Sequence, residues 1–298
     1  SLSLPVEILI AFCVSTNLMS SKRRSSLIFS FAEIWVSPFF KGCGEKFLPS
    51  LDKGTEMEQT QVLVSIATFL YGEAQDKVIF DKIEDFYLTN GAPNVSFAVL
   101  GDLPQSKRRK TDSDEATFAY AKARIFSLRE KYGDRFYLFI RQRRRSASEG
   151  AYIGWERKRG GVLELCRFLR GGKTSILSFF GEREDLLRTK YLITLDADTN
   201  LYIGAVRDLL GRMLHPENKP VVDTERGVVV KGHAVIQPRM IPSLLLRSDS
   251  SFSELTGGGA GLDSYAKGGF DLYQELFDEG IYCGKGMNAF RFGAIFEI

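Results

Sequence analysis

Tyr191-Leu192-Ile193-Thr194-Leu195 runs without a break into Asp196-Ala197-Asp198. The first five residues, apolar or β-branched, read as a buried strand. An acidic pair straight after a strand stands where open α/β sheets gather their ligands, at the carboxyl edge. One residue apart, two carboxylates can share a hard divalent cation through oxygen ligands, directly or through water. Mg²⁺ or Mn²⁺ held this way also takes a substrate diphosphate, and it offsets charge on a departing nucleoside diphosphate. The plainer alternative is a loop whose carboxylates cap the helix that follows.

Outward from this stretch the chain alternates. Val62–Phe69 is a β-branched apolar run. Glu73–Leu88 has helical spacing, with Val78, Ile79, Ile83, Phe86 and Tyr87 on one side. A turn at residues 90–94 leads to a second strand, Val95–Leu100. Ser106–Asp114 is polar and reads as a loop. A helix over Glu115–Tyr132 is stopped by Gly133-Asp134, and Phe136–Ile140 is a third strand. Gly161–Leu169 is a short helix closed by Gly171-Gly172. Tyr191–Leu195 is the fourth strand, Gly204–Leu214 a helix, and Val228–Gln237 a longer strand. Strands alternating with helices imply an α/β fold, a mostly parallel sheet with helices on both faces.

Three further segments converge on the same edge. Asp102 ends the second strand, where its carboxylate can accept hydrogen bonds from a base or ribose or simply form a turn. Gly154-Trp155-Glu156-Arg157-Lys158-Arg159-Gly160 follows the third strand. Arg157, Lys158 and Arg159 beside glycines, with Trp155, suit phosphate or nucleotide recognition; alone they would read as a solvated charge run. Gly284-Lys285-Gly286 brings a lysine between glycines, short of the spacing of a P-loop.

At these residues the chain resembles the glycosyltransferase domain of cyclic β-1,2-glucan synthases. The resemblance lies in Tyr152–Gly160, Tyr191–Asp198, Val235–Arg239 and Asp271–Gly286, in the same order, over roughly residues 45–287. It implies a GT-A type, Rossmann-like fold and a membrane-associated, processive, inverting transferase at the cytoplasmic face of the inner membrane. The implied reaction moves glucose from UDP-glucose to a growing β-1,2-glucan. The broader GT-A group would match Asp102 to the uridine-contacting acid, Asp196 and Asp198 to the metal–diphosphate motif, and Lys158-Arg159-Gly160 to the basic nucleotide loop. An inverting transfer needs a carboxylate to take the acceptor proton. The acidic stretch before Gly284-Lys285-Gly286 offers Asp271 and Glu275, with Asp271 preferred; the alternative is an exposed helix face with Leu272, Leu276 and Phe277 inward. Gly257–Gly261 reads as a loop over the acceptor site or a plain linker.

Residues 1–60 stand outside the alternation and read as a leader or membrane-proximal segment, with the transferase domain over 61–298. Val6–Val14 and Leu27–Phe40 fall short of the roughly 20 apolar residues a spanning helix needs. Lys22-Arg23-Arg24 between them reads as a solvated basic turn in preference to a contact with anionic lipid. Members of the family continue far beyond a domain of this kind, so the chain reads as a truncated piece, incomplete at its C-terminus. An incomplete sheet would expose apolar surface.

Composition bounds the alternatives. The chain has 298 residues, 44% hydrophobic and 26% charged, which excludes a largely disordered chain. With 40 Lys+Arg against 37 Asp+Glu, a net charge of +3 does not argue for nucleic acid. Lys107-Arg108-Arg109-Lys110 and Arg141-Gln142-Arg143-Arg144-Arg145 raise that reading, but loop charges, or contacts to anionic lipid or the nucleotide, explain them better. Four scattered cysteines and two histidines argue against zinc or a disulfide scaffold and for a reducing compartment. The competing class is an inactive fragment or a non-catalytic carbohydrate-associated protein.

Overall fold

A computed structural model describes residues 48–174, 177–238 and 284–291. In chain order its elements are α1 (Thr55–Gln59), β1 (Val62–Phe69), α2 (Glu73–Asn90), β2 (Val95–Asp102), α3 (Ser113–Tyr132) and β3 (Phe136–Arg141). Then come β4 (Arg144–Ser146), β5 (Ala151–Ile153), α4 (Arg157–Leu169), β6 (Leu177–Phe180), α5 (Arg183–Leu187) and β7 (Tyr191–Asp196). The last are α6 (Ala205–Leu214), β8 (Val221–Asp223), β9 (Val228–Lys231), β10 (Val235–Ile236) and β11 (Gly286–Asn288).

Seven strands form one sheet in the order β10-β11-β7-β1-β2-β3-β6. β1 pairs in parallel with β2 and with β7, and β2 with β3. The flanking pairs β3·β6, β7·β11 and β10·β11 are antiparallel. The sheet is mostly parallel, as the alternation of the sequence implies. The chain steps from β1 through β2 to β3, then returns to β7 on the other side of β1. In open sheets such a reversal marks the carboxyl edge as the place where ligands bind.

The period-2 alternation of the strands separates two cores. Val62, Val64 and Ile66 of β1 pack with Ile193 and Leu195 of β7 on one face. Helices α2, α3 and α6 cover that face through Ile79, Phe80, Ile83, Ile125, Leu128, Val206, Leu209 and Met213, at helical spacing. Leu63, Leu100, Phe139 and Leu192 point to the other face, under Leu165, Phe168 and Leu169 of α4 and Leu186 of α5. Helices therefore cover both faces. Caps tie elements together: Asn90, the last residue of α2, accepts from Val206 N in the first turn of α6 at 3.1 Å.

Several expectations need correction. Val78 is 64% exposed, and Phe80 is buried in its place. The single strand expected over Val228–Gln237 is two, broken at Gly232 with φ 72°. β9 forms a separate ribbon with β8, and β10 joins the edge of the main sheet. The last helix residues before Leu169 begin at Arg157, four residues before the expected start. Residues 48–60, read with the leader, pack on the sheet unit. Met57 is buried in its core, Asn94 Nδ2 donates to Met57 O at 2.8 Å and Thr60 O at 2.7 Å, and Leu51 N donates to Gly211 O at 3.0 Å. Residues 1–47 lie outside the described residues. Among the described residues no helix is long and apolar enough to cross a membrane.

Candidate functional site

Asp102 is the last residue of β2, directly across from Phe69 of β1 and Arg141 of β3. Its Oδ2 accepts from Arg141 Nη1 at 3.1 Å, while its buried Oδ1 has no partner. Burial pushes the Asp102 carboxyl up to about 6, against the downward pull of the Arg141 guanidinium. An orphaned buried acceptor is costly unless a ligand satisfies it. Gly154 packs onto this carboxylate: a Cβ there would lie 2.7 Å from Oδ1.

Arg141 is buried and does two jobs. Beside Asp102, it donates to the carbonyls of Trp155 and Arg157. It thereby fixes the turn into α4, where Glu156 (φ 53°) and Arg157 (φ 47°) adopt a left-handed backbone. Gly161 lets the helix approach: a Cβ would lie 2.9 Å from Arg141 Nη1 and 3.2 Å from a Leu100 methyl. The first turn of α4 carries no acidic residue. Arg157 N donates to Gly154 O at 3.0 Å, and the dipole of the turn favours an anion there.

Lys158, in that first turn, reaches across to β7. Its Nζ pairs with Asp196 Oδ1 and donates to Gly284 O at 2.8 Å. Lys285 Nζ lies 3.4 Å from Asp196 Oδ2. Thr194 Oγ1 donates to Gly284 O at 3.1 Å, holding the same loop against β7. Asp198 is exposed and accepts from Thr199 Oγ1 at 3.3 Å. Lys82 Nζ donates to Ala197 O between the two acids; burial pulls its pKa down while Asp198 pushes it up.

Of the residues singled out in the sequence, Lys158, Lys285 and Asp196 thus meet at the end of β7; Asp198 follows two residues on, bonded to Thr199, and Asp102 stands at the end of β2. Trp155 contributes its carbonyl to Arg141, and its ring packs over Gly160, where a Cβ would lie 2.8 Å from it. Arg157 and Arg159 are exposed and pair with Glu149 at 3.3 Å and Glu156 at 2.7 Å, not with Asp102 or Asp196. Asp271 and Glu275, the candidate bases, lie outside the described residues, as does Gly257–Gly261. Sequence reasoning missed Arg141, grouped with a basic run of surface or ligand contacts. Arg143 of that run is buried too, bonded to Asp114 at 2.7 and 3.0 Å. The available signal was position: Arg141 ends β3 as Asp102 ends β2.

The donor set limits the metal chemistry. Among the described residues no three His, Cys, Asp or Glu side chains come together. Two carboxylates at one strand end do not enclose a cation by themselves. They fit Mg²⁺ or Mn²⁺ completed by diphosphate oxygens and water, the usual way these ions are held beside phosphates.

No family model matches the chain. It is 36% identical over 236 residues to cyclic beta-(1,2)-glucan synthase NdvB of Rhizobium meliloti (strain 1021). The match covers 77% of this chain and 8% of the synthase, so the chain spans a small part of that protein's length. The chain is related to a segment of cyclic β-(1,2)-glucan synthase, on a mostly parallel α/β sheet of the Rossmann-like glycosyltransferase kind.

Proposed function

We propose that the chain is the donor-binding part of an inverting hexosyltransferase that takes glucose from UDP-glucose and extends a β-1,2-glucan. One observation carries the reading. An orphaned buried carboxylate on β2 and a lysine-flanked carboxylate on β7 stand at the carboxyl edge, on the two neighbours of β1. Two strand spacings separate them, roughly 10 Å, about the span from a nucleoside to its diphosphate.

Asp102 accepts hydrogen bonds from the uridine through the oxygen that lacks a partner. Gly154 and Arg141 keep that wall close and rigid. Lys158, Lys285 and the N-terminus of α4 bind the phosphates. Asp196 and Asp198 would hold Mg²⁺ or Mn²⁺, which would supply positive charge against the departing diphosphate. Asp271, or Glu275 in its stead, takes the proton of the acceptor hydroxyl as its oxygen bonds to the anomeric carbon. The bond from that carbon to the diphosphate breaks, and UDP leaves with the electron pair. The partners are then a UDP-sugar and a glucan, with membrane association in a longer parent at the cytoplasmic face of the inner membrane.

The test is turnover. The full chain is incubated with UDP-glucose, a β-1,2-glucan oligosaccharide and Mn²⁺, and released UDP and acceptor length are measured. The reading predicts both products with wild type and neither when Asp271→Asn and Glu275→Gln are combined. No UDP release from a folded chain would favour a non-catalytic carbohydrate-associated role.

A further inference from the structure

Asp196 is neutralised twice from within the protein. Lys158 Nζ sits on Oδ1, and Lys285 Nζ faces Oδ2 at 3.4 Å. The lysines come from separate elements, the first turn of α4 and the residue before β11. Their side chains are 30% and 21% exposed, so neither is a freely solvated surface lysine. Lys158 is anchored further by Gly284 O, the carbonyl that also accepts from Thr194 Oγ1. Gly284 has φ 80°, and a Cβ there would lie 3.1 Å from Lys158 Nζ, so glycine suits both the backbone and the contact.

A divalent cation must come within about 2.1 Å of a carboxylate oxygen. Each oxygen of Asp196 already faces an ammonium group. Cation and ammonium repel one another at this range, the more strongly because the site is half-buried. A nucleoside diphosphate changes the balance, because its oxygens offer both ammonium groups a new partner.

We propose that Lys158 and Lys285 are internal counter-ions that close the Asp196 site to a divalent cation until a nucleoside diphosphate draws them away. This deepens the donor-site reading and rests on it. Cation and nucleotide then bind with positive coupling, and each raises the affinity of the other by the same factor.

The experiment titrates Mn²⁺ into the full chain, with and without saturating UDP, and follows free Mn²⁺ by electron paramagnetic resonance. Lys285→Ala and Lys158→Gln are treated alike. In wild type, Mn²⁺ should bind at least about ten-fold more tightly with UDP than without. In both variants Mn²⁺ alone should bind more tightly than in wild type, UDP alone more weakly, and the coupling should shrink to the part that the diphosphate oxygens supply by coordinating the metal. A purely structural role for the lysines would not tighten Mn²⁺ binding. Lys285→Ala serves where Lys158→Gln unfolds, since Lys158 also holds the Gly284 loop. Equal Mn²⁺ affinity with and without UDP in wild type, or variants that bind Mn²⁺ no more tightly, overturns the proposal. Failure of UDP to bind under any condition would instead remove the donor-site reading, while the nucleotide-free titrations still test the counter-ions.

Discussion

Asp102 and Asp114 are both buried acids facing an arginine, yet their titrations run in opposite directions. At Asp114 desolvation pushes upward, but hydrogen bonds from Arg143 and Thr111 outweigh it and hold the carboxyl below its usual range. At Asp102 desolvation wins, and the carboxyl stands at about 6 against an unperturbed 3.8. A raised acid stabilises the fold below its unfolded value, and that contribution is lost as pH rises through about 6. Ionised Asp102 therefore costs the empty protein of the order of 3 kcal/mol, from about two units at 1.36 kcal/mol each. A ligand that donates to Oδ1 recovers part of that cost. Uridine-nucleotide affinity should accordingly drop as pH falls through about 6, and this step should vanish in Asp102→Asn. Titrations of both proteins from pH 5 to 8 check it; an identical step in the variant would assign it to the nucleotide. The positions of Asp102 and Asp196 at the sheet's carboxyl edge were legible in the sequence because each closes an apolar run, with Asp198 two residues beyond the second. Arg141 and Arg143 were not, because a basic run looks the same whether solvated or paired. Their partners lie 39 and 29 residues away along the chain.

Helix α4 links the element scale to the site, since its first turn carries Lys158 and its second lies over Arg141. Alanine in place of glycine inside a helix ordinarily stabilises by about 1 kcal/mol. Gly161 should reverse the sign, because its Cβ would crowd the Arg141 guanidinium and Leu100. Gly161→Ala is expected to destabilise by about 1–3 kcal/mol and to weaken UDP binding by shifting the turn that Arg141 holds. Denaturant unfolding and UDP titration together check this; a stabilised variant with unchanged affinity would contradict it. The parallel strands were readable because each is an unbroken apolar run, and their helices because they fill the long segments between those runs, bounded by turn residues. What escaped was short and antiparallel. The β4–β5 hairpin, β6, β8 and β11 each have three or four residues, too few to show an alternation. Gly284-Lys285-Gly286 read as a phosphate loop in the sequence. In the structure Gly286 already begins β11, which pairs with β7 and sets Lys285 beside Asp196.

At the scale of the whole molecule, chain order creates the site. The chain winds outward from β1 to β3 and comes back to β7, so the ends of β2 and β7 flank the end of β1. Asp102 and Asp196 therefore come to one edge from 94 residues apart, and the first turn of α4 bridges them, through Arg157 O to Arg141 and through Lys158 to Asp196. No single segment of this length encodes that convergence; the alternation of strands and helices does. The most direct measurement is calorimetric titration of the folded full chain with UDP, in Mn²⁺ and then in EDTA, alongside Asp198→Ala. Saturable UDP binding that weakens at least about ten-fold in EDTA, and to a similar extent in Asp198→Ala, is the predicted result. UDP affinity unchanged by the chelator and by the substitution would contradict the assignment of this edge as a metal-assisted donor site.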